Sequence, residues 1–285
     1  MQNIAEEKSQ ELNNRGIILG QRNTDYVAGT LPYEILNPSG DWTNWLPLGE
    51  WQAKPGLETM ACVSFSALNV IETLYYFKTG VQRNFSDRFT AKMSGTSLSG
   101  NWLWKVGDSI RKDGLVDEAD WPWLEGADWE QYYATPPIDI INKAREFLKE
   151  WKVNYEFIDF TRESLLHHIK QSPIQVVFPN HAVMNFFTSD SIYKYFDSYA
   201  PYIKERNTDF ISALKYVLSE ITMYKHVIYN GEEQYIRGAD GFDYHIYNVA
   251  ILEALKKMGI LSSAEPEFVD SIDDSGIEIV CLNKE

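Results

Sequence analysis

Cysteine is nearly missing from this chain, which carries only Cys62 and Cys281 in 285 residues. That scarcity excludes a disulfide scaffold and all but excludes a cysteine-built metal site. Long apolar runs are missing too. No stretch nears the roughly 18 consecutive apolar residues of a membrane span, and the opening Met1-Gln-Asn-Ile-Ala-Glu-Glu lacks the basic-then-apolar layout of a signal peptide. The expectation is a soluble chain, not secreted by that route. Positive charge is short: 26 Lys plus Arg stand against 41 Asp plus Glu, a formal net charge of −15. That balance argues against nucleic acid or an anionic membrane as partner. There is no internal repeat and no low-complexity tract. What is present is 44% hydrophobic and 14% aromatic residues, the composition of a chain that folds around a core.

Residues 1 to about 40 read as a polar arm with a short apolar run at Ile17-Ile18-Leu19. Pro and Gly then punctuate the chain to Gly56, in what should be ordered loop, because Trp42, Trp45 and Trp51 need burial. From Cys62 to about Thr79 apolar residues fall at helical spacing on nearly every face, and Gly80 sits where a C-terminal cap belongs. A helix apolar all round is a central, buried one. Further helices are expected from about Asn101 to Lys112 and from about Pro137 to Lys152. Beyond them the pattern turns to strands at Val153 to Phe157, Ile174 to Phe178, Ala182 to Phe187 and Ile192 to Phe196, with a short helix at Glu163 to Lys170. Helices first and strands second predict an α+β architecture. Past residue 205 the spacing predicts helices at Phe210 to Tyr224 and Asn248 to Met258, a hairpin at Asn230-Gly231 and a last strand at Ile277 to Cys281.

Cys62 stands where loop becomes buried helix. There the helix dipole and free amide hydrogens favour a thiolate and can face an oxyanion. A lone buried cysteine is usually only structural, so the surrounding residues decide. The segment from Gln52 to Glu72, with Cys62-Val-Ser-Phe-Ser-Ala at its centre, resembles the papain-like cysteine peptidases, which carry C-G-S-C-W-A-F-S-A at the start of their central helix. Asp41-Trp42, Phe85-Ser86-Asp87, Ser99-Gly100, Asp113-Gly114-Leu115 and Trp121-Pro122-Trp123 follow the family's landmarks in order. His181-Ala182-Val183 matches its histidine strand, and Asp197-Ser198-Tyr199, 16 residues beyond the histidine, stands for its N-S-W.

The resemblance spans about residues 41 to 203 and implies a papain-like domain over 41–205, followed by an extension over 206–285 that packs on it. It implies a Cys62, His181, Asp197 triad that hydrolyses peptide bonds through an acyl-enzyme. Gln52 and the Cys62 amide are the implied oxyanion donors, and Ser99, Gly100 and Tyr199 the implied substrate contacts. The family's Gln lies six residues before its Cys, whereas Gln52 lies ten before Cys62, so a longer loop has to return it. Thr59 occupies the place of the family's disulfide cysteine, which fits a cytoplasmic or virion-carried variant. No metal or organic cofactor is called for, and a polypeptide is the expected partner.

Two other readings stand beside this one. The fold can serve a structural or binding component of a larger assembly without turnover, or a Cys-His-Asp amidase such as a cell-wall hydrolase. His226 is the competing histidine, with Asp240 and Asp243 downstream; His167 and His168 fall on the expected helix Glu163 to Lys170 in a solvated or half-buried role, and His245 lacks a supporting context.

Overall fold

In the computed structural model, which describes residues 17–18, 34–54, 56–123, 125–220, 225–229, 233–237, 243–246, 252–253, 267–269 and 274–279, the run opening at Cys62 is a single helix, α1 (Cys62–Thr79). Every residue from Cys62 to Leu74 is buried, as the all-round apolar pattern predicts. Gly80 ends the helix in the left-handed conformation (φ 71°), its N–H donating to the Tyr76 carbonyl. Four more helices surround α1: α2 (Asp87–Met93), α3 (Leu103–Asp113), α4 (Trp129–Tyr132) and α5 (Ile138–Glu150). The Ser86 hydroxyl caps α2 by accepting from the Phe89 N–H, and Asp128 with Gln131 forms a capping box on α4. α3 begins two residues later than its spacing predicts, because Asn101–Trp102 pairs in parallel with Ile17–Ile18. Ile17 is buried there, which ties this part of the arm to the core; most of the remaining arm lies outside the described residues.

Six strands form the main sheet of this part of the chain: β1 (Trp151–Ile158), β2 (Ile174–Phe178), β3 (His181–Thr188), β4 (Tyr193–Phe196), β5 (Ile203–Arg206) and β6 (Ser212–Glu220), in the order β1-β6-β2-β3-β4-β5. A sixth helix, α6 (Arg162–His168), links β1 to β2. Helix α1 packs along β3 and β2, so the buried helix and the sheet share one core and the α+β expectation holds. Trp42 is fully buried and donates from Nε1 to the Ile169 carbonyl at 2.7 Å. Trp51, expected inside, is instead 50% exposed.

One expected element is wrong. The helix predicted over Phe210 to Tyr224 is the strand β6, paired antiparallel with β2 from Ser212↔Val177 to Lys215↔Ile174. Both faces of β6 are covered, so its apolar residues run together and the two-residue period is erased. The first compact unit spans Met1–Ser219.

A second compact unit spans Glu220–Glu285. It holds β7 (Lys225–Tyr229), β8 (Glu233–Arg237), β9 (Asp243–Ile246), β10 (Glu267–Val269) and β11 (Asp274–Ile279), in the order β10-β7-β8-β9-β11. β7 and β8 pair antiparallel with Tyr229 opposite Glu233, as a hairpin requires, although Asn230-Gly231 itself lies outside the described residues. Of the helix expected over Asn248 to Met258, only Leu252 and Glu253 are described, both helical. The last strand was expected at Ile277 to Cys281; β11 takes in Ile277 to Ile279 of it and pairs in parallel with β9.

Candidate active site

Cys62 is the first residue of α1, fully buried and outside any disulfide, with no acidic residue in the first turn. An 18-residue helix puts its positive end at that sulfur. The first turn is fastened to the sheet: Gln175 of β2 donates from Nε2 to the Val63 carbonyl and to Ser66 Oγ, each at 2.8 Å, and Ser66 Oγ donates to the Cys62 carbonyl at 2.7 Å. Tyr216 of β6 donates to Gln175 Oε1 at 3.2 Å, which fixes the orientation of that amide.

His181 opens β3, and Asp197 follows the last residue of β4. Because β3 and β4 are antiparallel, with Met184 opposite Phe196, the two residues return to the same end of the sheet. His181 Nε2 and Asp197 Oδ1 are 2.7 Å apart, and each side chain is 1% exposed. The other carboxylate oxygen accepts from Lys204 Nζ at 2.7 Å, and the Tyr199 N–H donates to Oδ1 at 3.2 Å. Burial pushes the Asp197 carboxyl up, but the hydrogen bonds and charges of His181 and Lys204 outweigh it and hold it below the usual carboxylate range. Phe178, opposite His181 in the β2–β3 register, and Tyr199 both stand edge-on to the imidazole, at 5.4 and 5.5 Å between ring centroids.

Gln52 is buried in the loop before α1. The extra residues between it and Cys62 form a tight two-stranded turn in which Ala53 pairs with Glu58 and Lys54 with Leu57. That turn brings the chain back on itself, so Thr59 Oγ1 donates to the Gln52 carbonyl at 3.0 Å. Gln52 is joined to the residue after Asp197 twice. Its N–H donates to the Ser198 carbonyl at 3.1 Å, and its Oε1 accepts from Ser198 Oγ at 2.7 Å. With Oε1 held by a hydroxyl donor, Nε2 points the other way and donates to Glu58 Oε1 at 2.7 Å. His181 bonds to Asp197, and the next residue along the chain, Ser198, bonds to Gln52, which in turn bonds to Glu58 and Thr59, just upstream of Cys62.

Ser99 and Gly100 lie in a turn where Gly100 and Ser97 exchange backbone hydrogen bonds; Ser99 is exposed and Gly100 buried. This segment reaches the Cys62 loop through Tyr133, which bonds to Thr96 and donates to the Thr59 carbonyl at 2.6 Å. A cavity of about 340 Å³ is walled by Trp51, Phe65, Asp87, Arg88 and Trp123, and none of Cys62, His181, Asp197 and Gln52 lines it. His167 and His168 end α6, and the competing His226 and His245 belong to strands of the second unit. Among the described residues, no group of three or more His, Cys, Asp or Glu side chains is arranged to hold a metal ion, and no helix is long and apolar enough to cross a membrane.

Sequence reasoning did not find Ser198 as the link to Gln52 or Lys204 as the second partner of Asp197. The signal for Lys204 was register: β4 and β5 pair with Phe196 opposite Ile203, which sets Asp197 and Lys204 diagonally across that pair.

No protein-family model matches this sequence, and no curated protein matches it. Solved structures do match. The chain is similar to digestive procathepsin L3 of Tenebrio molitor larval midgut, with a TM-score of 0.53 and 15% identity over 74% of this chain and 78% of that one. It is similar as well to procathepsin L2 of the same midgut, with a TM-score of 0.51 and 12% identity over 73% and 79%. The fold is that of the papain-like cysteine proteases.

Proposed function

We propose that this protein is a cysteine peptidase in which Cys62 is the nucleophile, His181 the general base and acid, and Asp197 the group that orients the imidazole. The observation that carries the reading is the buried 2.7 Å pair of His181 and Asp197, linked through Ser198 and Gln52 to the loop that delivers Cys62 to its helix. With Nε2 committed to Asp197, the proton from the thiol goes to Nδ1. The thiolate adds to the peptide carbonyl, and the resulting oxyanion is met by the Cys62 amide and the Gln52 side chain. Collapse of the tetrahedral adduct expels the amine, protonated by His181, and leaves an acyl-enzyme that water hydrolyses. Ser99, Gly100 and Tyr199 are assigned to hold the polypeptide substrate.

One observation favours a rival reading, in which the fold binds without turnover: the Gln52 amide meant for an oxyanion already donates to the Glu58 carboxylate. Iodoacetamide labelling near neutral pH, read site by site, together with hydrolysis of a mixed peptide library, tests the proposal. The expected result is preferential alkylation of Cys62 and peptide cleavage that Cys62→Ser abolishes. An inert Cys62 beside a reactive Cys281, with every peptide intact, overturns it.

A further inference from the structure

Glu58 is the centre of the loop that precedes the nucleophile. Its Oε1 accepts from Gln52 Nε2 at 2.7 Å and from the Met60 N–H at 3.1 Å, and its Oε2 accepts from the Tyr199 hydroxyl at 2.5 Å. Met60 is one of two non-glycine residues with positive φ among those described, at 59°. A side chain in that region is strained, and such strain persists only where surrounding contacts hold it. Here the contact is the Glu58 carboxylate, two residues before the strained position. The left-handed turn at Met60 redirects the chain so that Ala61 caps α1 and Cys62 opens it. Tyr199 stands edge-on to His181. One carboxylate therefore touches the loop that delivers the thiol, the amide that faces the oxyanion and the ring beside the base.

We propose that Glu58 is a positioning residue of this site, a clamp that holds Gln52, Met60 and Tyr199 in register and makes turnover depend on all three together. The inference rests on the peptidase reading, and it replaces the view of Glu58 as an obstacle to the oxyanion with one in which its contacts set the geometry. Misplacement of a reacting group by about 1 Å costs up to about 100-fold in rate. Glu58→Ala is accordingly expected to lower kcat by about 10- to 100-fold and to change KM far less, since Glu58 is not itself assigned a peptide contact and Tyr199 keeps its N–H bond to Asp197. Glu58→Gln keeps an acceptor for Gln52 and Met60 and offers its NH2 to the Tyr199 oxygen, so its kcat recovers to within about threefold of wild type. Adding Met60→Gly to Glu58→Ala relieves the backbone strain, so the melting temperature returns while kcat stays low, because Gln52 and Tyr199 remain unheld.

The experiment is steady-state kinetics on a peptide cleaved by the wild type, with thermal melts of the four proteins. A Glu58→Ala variant within twofold of wild type in kcat, or faster than wild type, overturns the clamp. So does a Glu58→Gln variant as slow as Glu58→Ala. A wild type that cleaves no peptide overturns the peptidase reading, and the melts alone then judge the clamp: equal melting temperatures for wild type and Glu58→Ala overturn it too.

Discussion

Asp197→Asn isolates the charge on the group that holds His181. The wild-type carboxylate accepts from His181 Nε2 at 2.7 Å, Lys204 Nζ at 2.7 Å and the Tyr199 N–H at 3.2 Å. An amide of the same shape keeps its oxygen for His181 and Tyr199 but turns its NH2 toward the Lys204 ammonium, donor against donor. The Lys204 side chain is 25% exposed, so it swings into water at small cost. What disappears is the negative charge opposite the imidazolium that forms during thiol deprotonation. A hydrogen bond to a charged partner contributes about 1.5–3 kcal/mol and a neutral one about 0.5–1.5 kcal/mol. The difference, about 1–2 kcal/mol, corresponds to about 5- to 30-fold in kcat. Asp197→Ala goes further, leaving the Nε2 hydrogen buried without that acceptor, a burden of about 1–3 kcal/mol more. Peptide turnover and the iodoacetamide alkylation rate of Cys62, both at pH 7, measure the effect. The expected order is wild type, then Asn, then Ala, with Lys204→Ala close to wild type because the His181–Asp197 contact survives. If Asp197→Asn and Asp197→Ala alkylate and turn over within twofold of wild type, Asp197 does not support His181 and the reasoning fails.

Three further outcomes follow from buried charge and backbone. Burial, then neighbouring carboxylates, push the Glu72 and Asp87 carboxyls well above their usual values. The folded state then binds these protons more tightly than the unfolded chain, so their contribution to stability is full below the ordinary carboxyl range and is lost as pH rises toward the folded values; Asp197, shifted the opposite way, contributes above that range and loses its share in acid. Melting temperatures from pH 5 to 8 should fall less steeply in Glu72→Gln, whose amide oxygen still accepts from the Phe85 N–H; an unchanged slope defeats the assignment. Glu156 and Lys215 form an ion pair at 2.5 Å, 1% and 2% exposed, with Gln171 as the second acceptor. Glu156→Ala strands a buried ammonium and should cost about 3–5 kcal/mol by urea titration, whereas a loss below about 1 kcal/mol means that the cation reaches water. At Gly114 φ is +82°, and an added Cβ would lie 2.0 Å from the Ala144 carbonyl oxygen. Gly114→Ala therefore pries α3 from α5 and should cost more than about 2 kcal/mol in the same titration.

The parts of the fold that were legible in sequence are those whose period survives burial. α1 was readable because Gly80 marks its end, and β3 and β4 because Thr188-Ser189-Asp190-Ser191 separates them. β6 was not, since a strand covered on both faces shows no alternation, and Lys215 in its middle resembles a solvated helix face until Glu156 of β1 is set beside it. At the site, the pairing of His181 with Asp197 was legible because a hairpin of that length returns one strand against the other. The links made by Ser198, Lys204 and Glu58 were not. The links of Ser198 to Gln52 and of Glu58 to Tyr199 join segments more than 100 residues apart, which no local pattern records, and that of Lys204 needs the β4–β5 register.

The loop between Gln52 and Cys62 shows how a longer stretch of sequence can return to the same place. A family resemblance looks for Gln six residues before the nucleophile, and Gly56 is there instead. The four additional residues do not lengthen the path between Gln52 and α1, because Ala53–Lys54 and Leu57–Glu58 fold back on each other and leave the ends of the insertion adjacent. A few residues added to a loop cost only a fraction of a kcal/mol in closure entropy, and the two backbone pairings offset part of that. The hairpin also supplies what a plain loop lacks: Glu58 is the partner of Ala53 in its ladder, and so its carboxylate falls beside Gln52 and the Met60 N–H. The same insertion that hides the glutamine from a spacing rule thus carries the residue that holds it, and the two are expected to change together: shortening the hairpin removes the need for Glu58 only if it also relieves the left-handed turn at Met60.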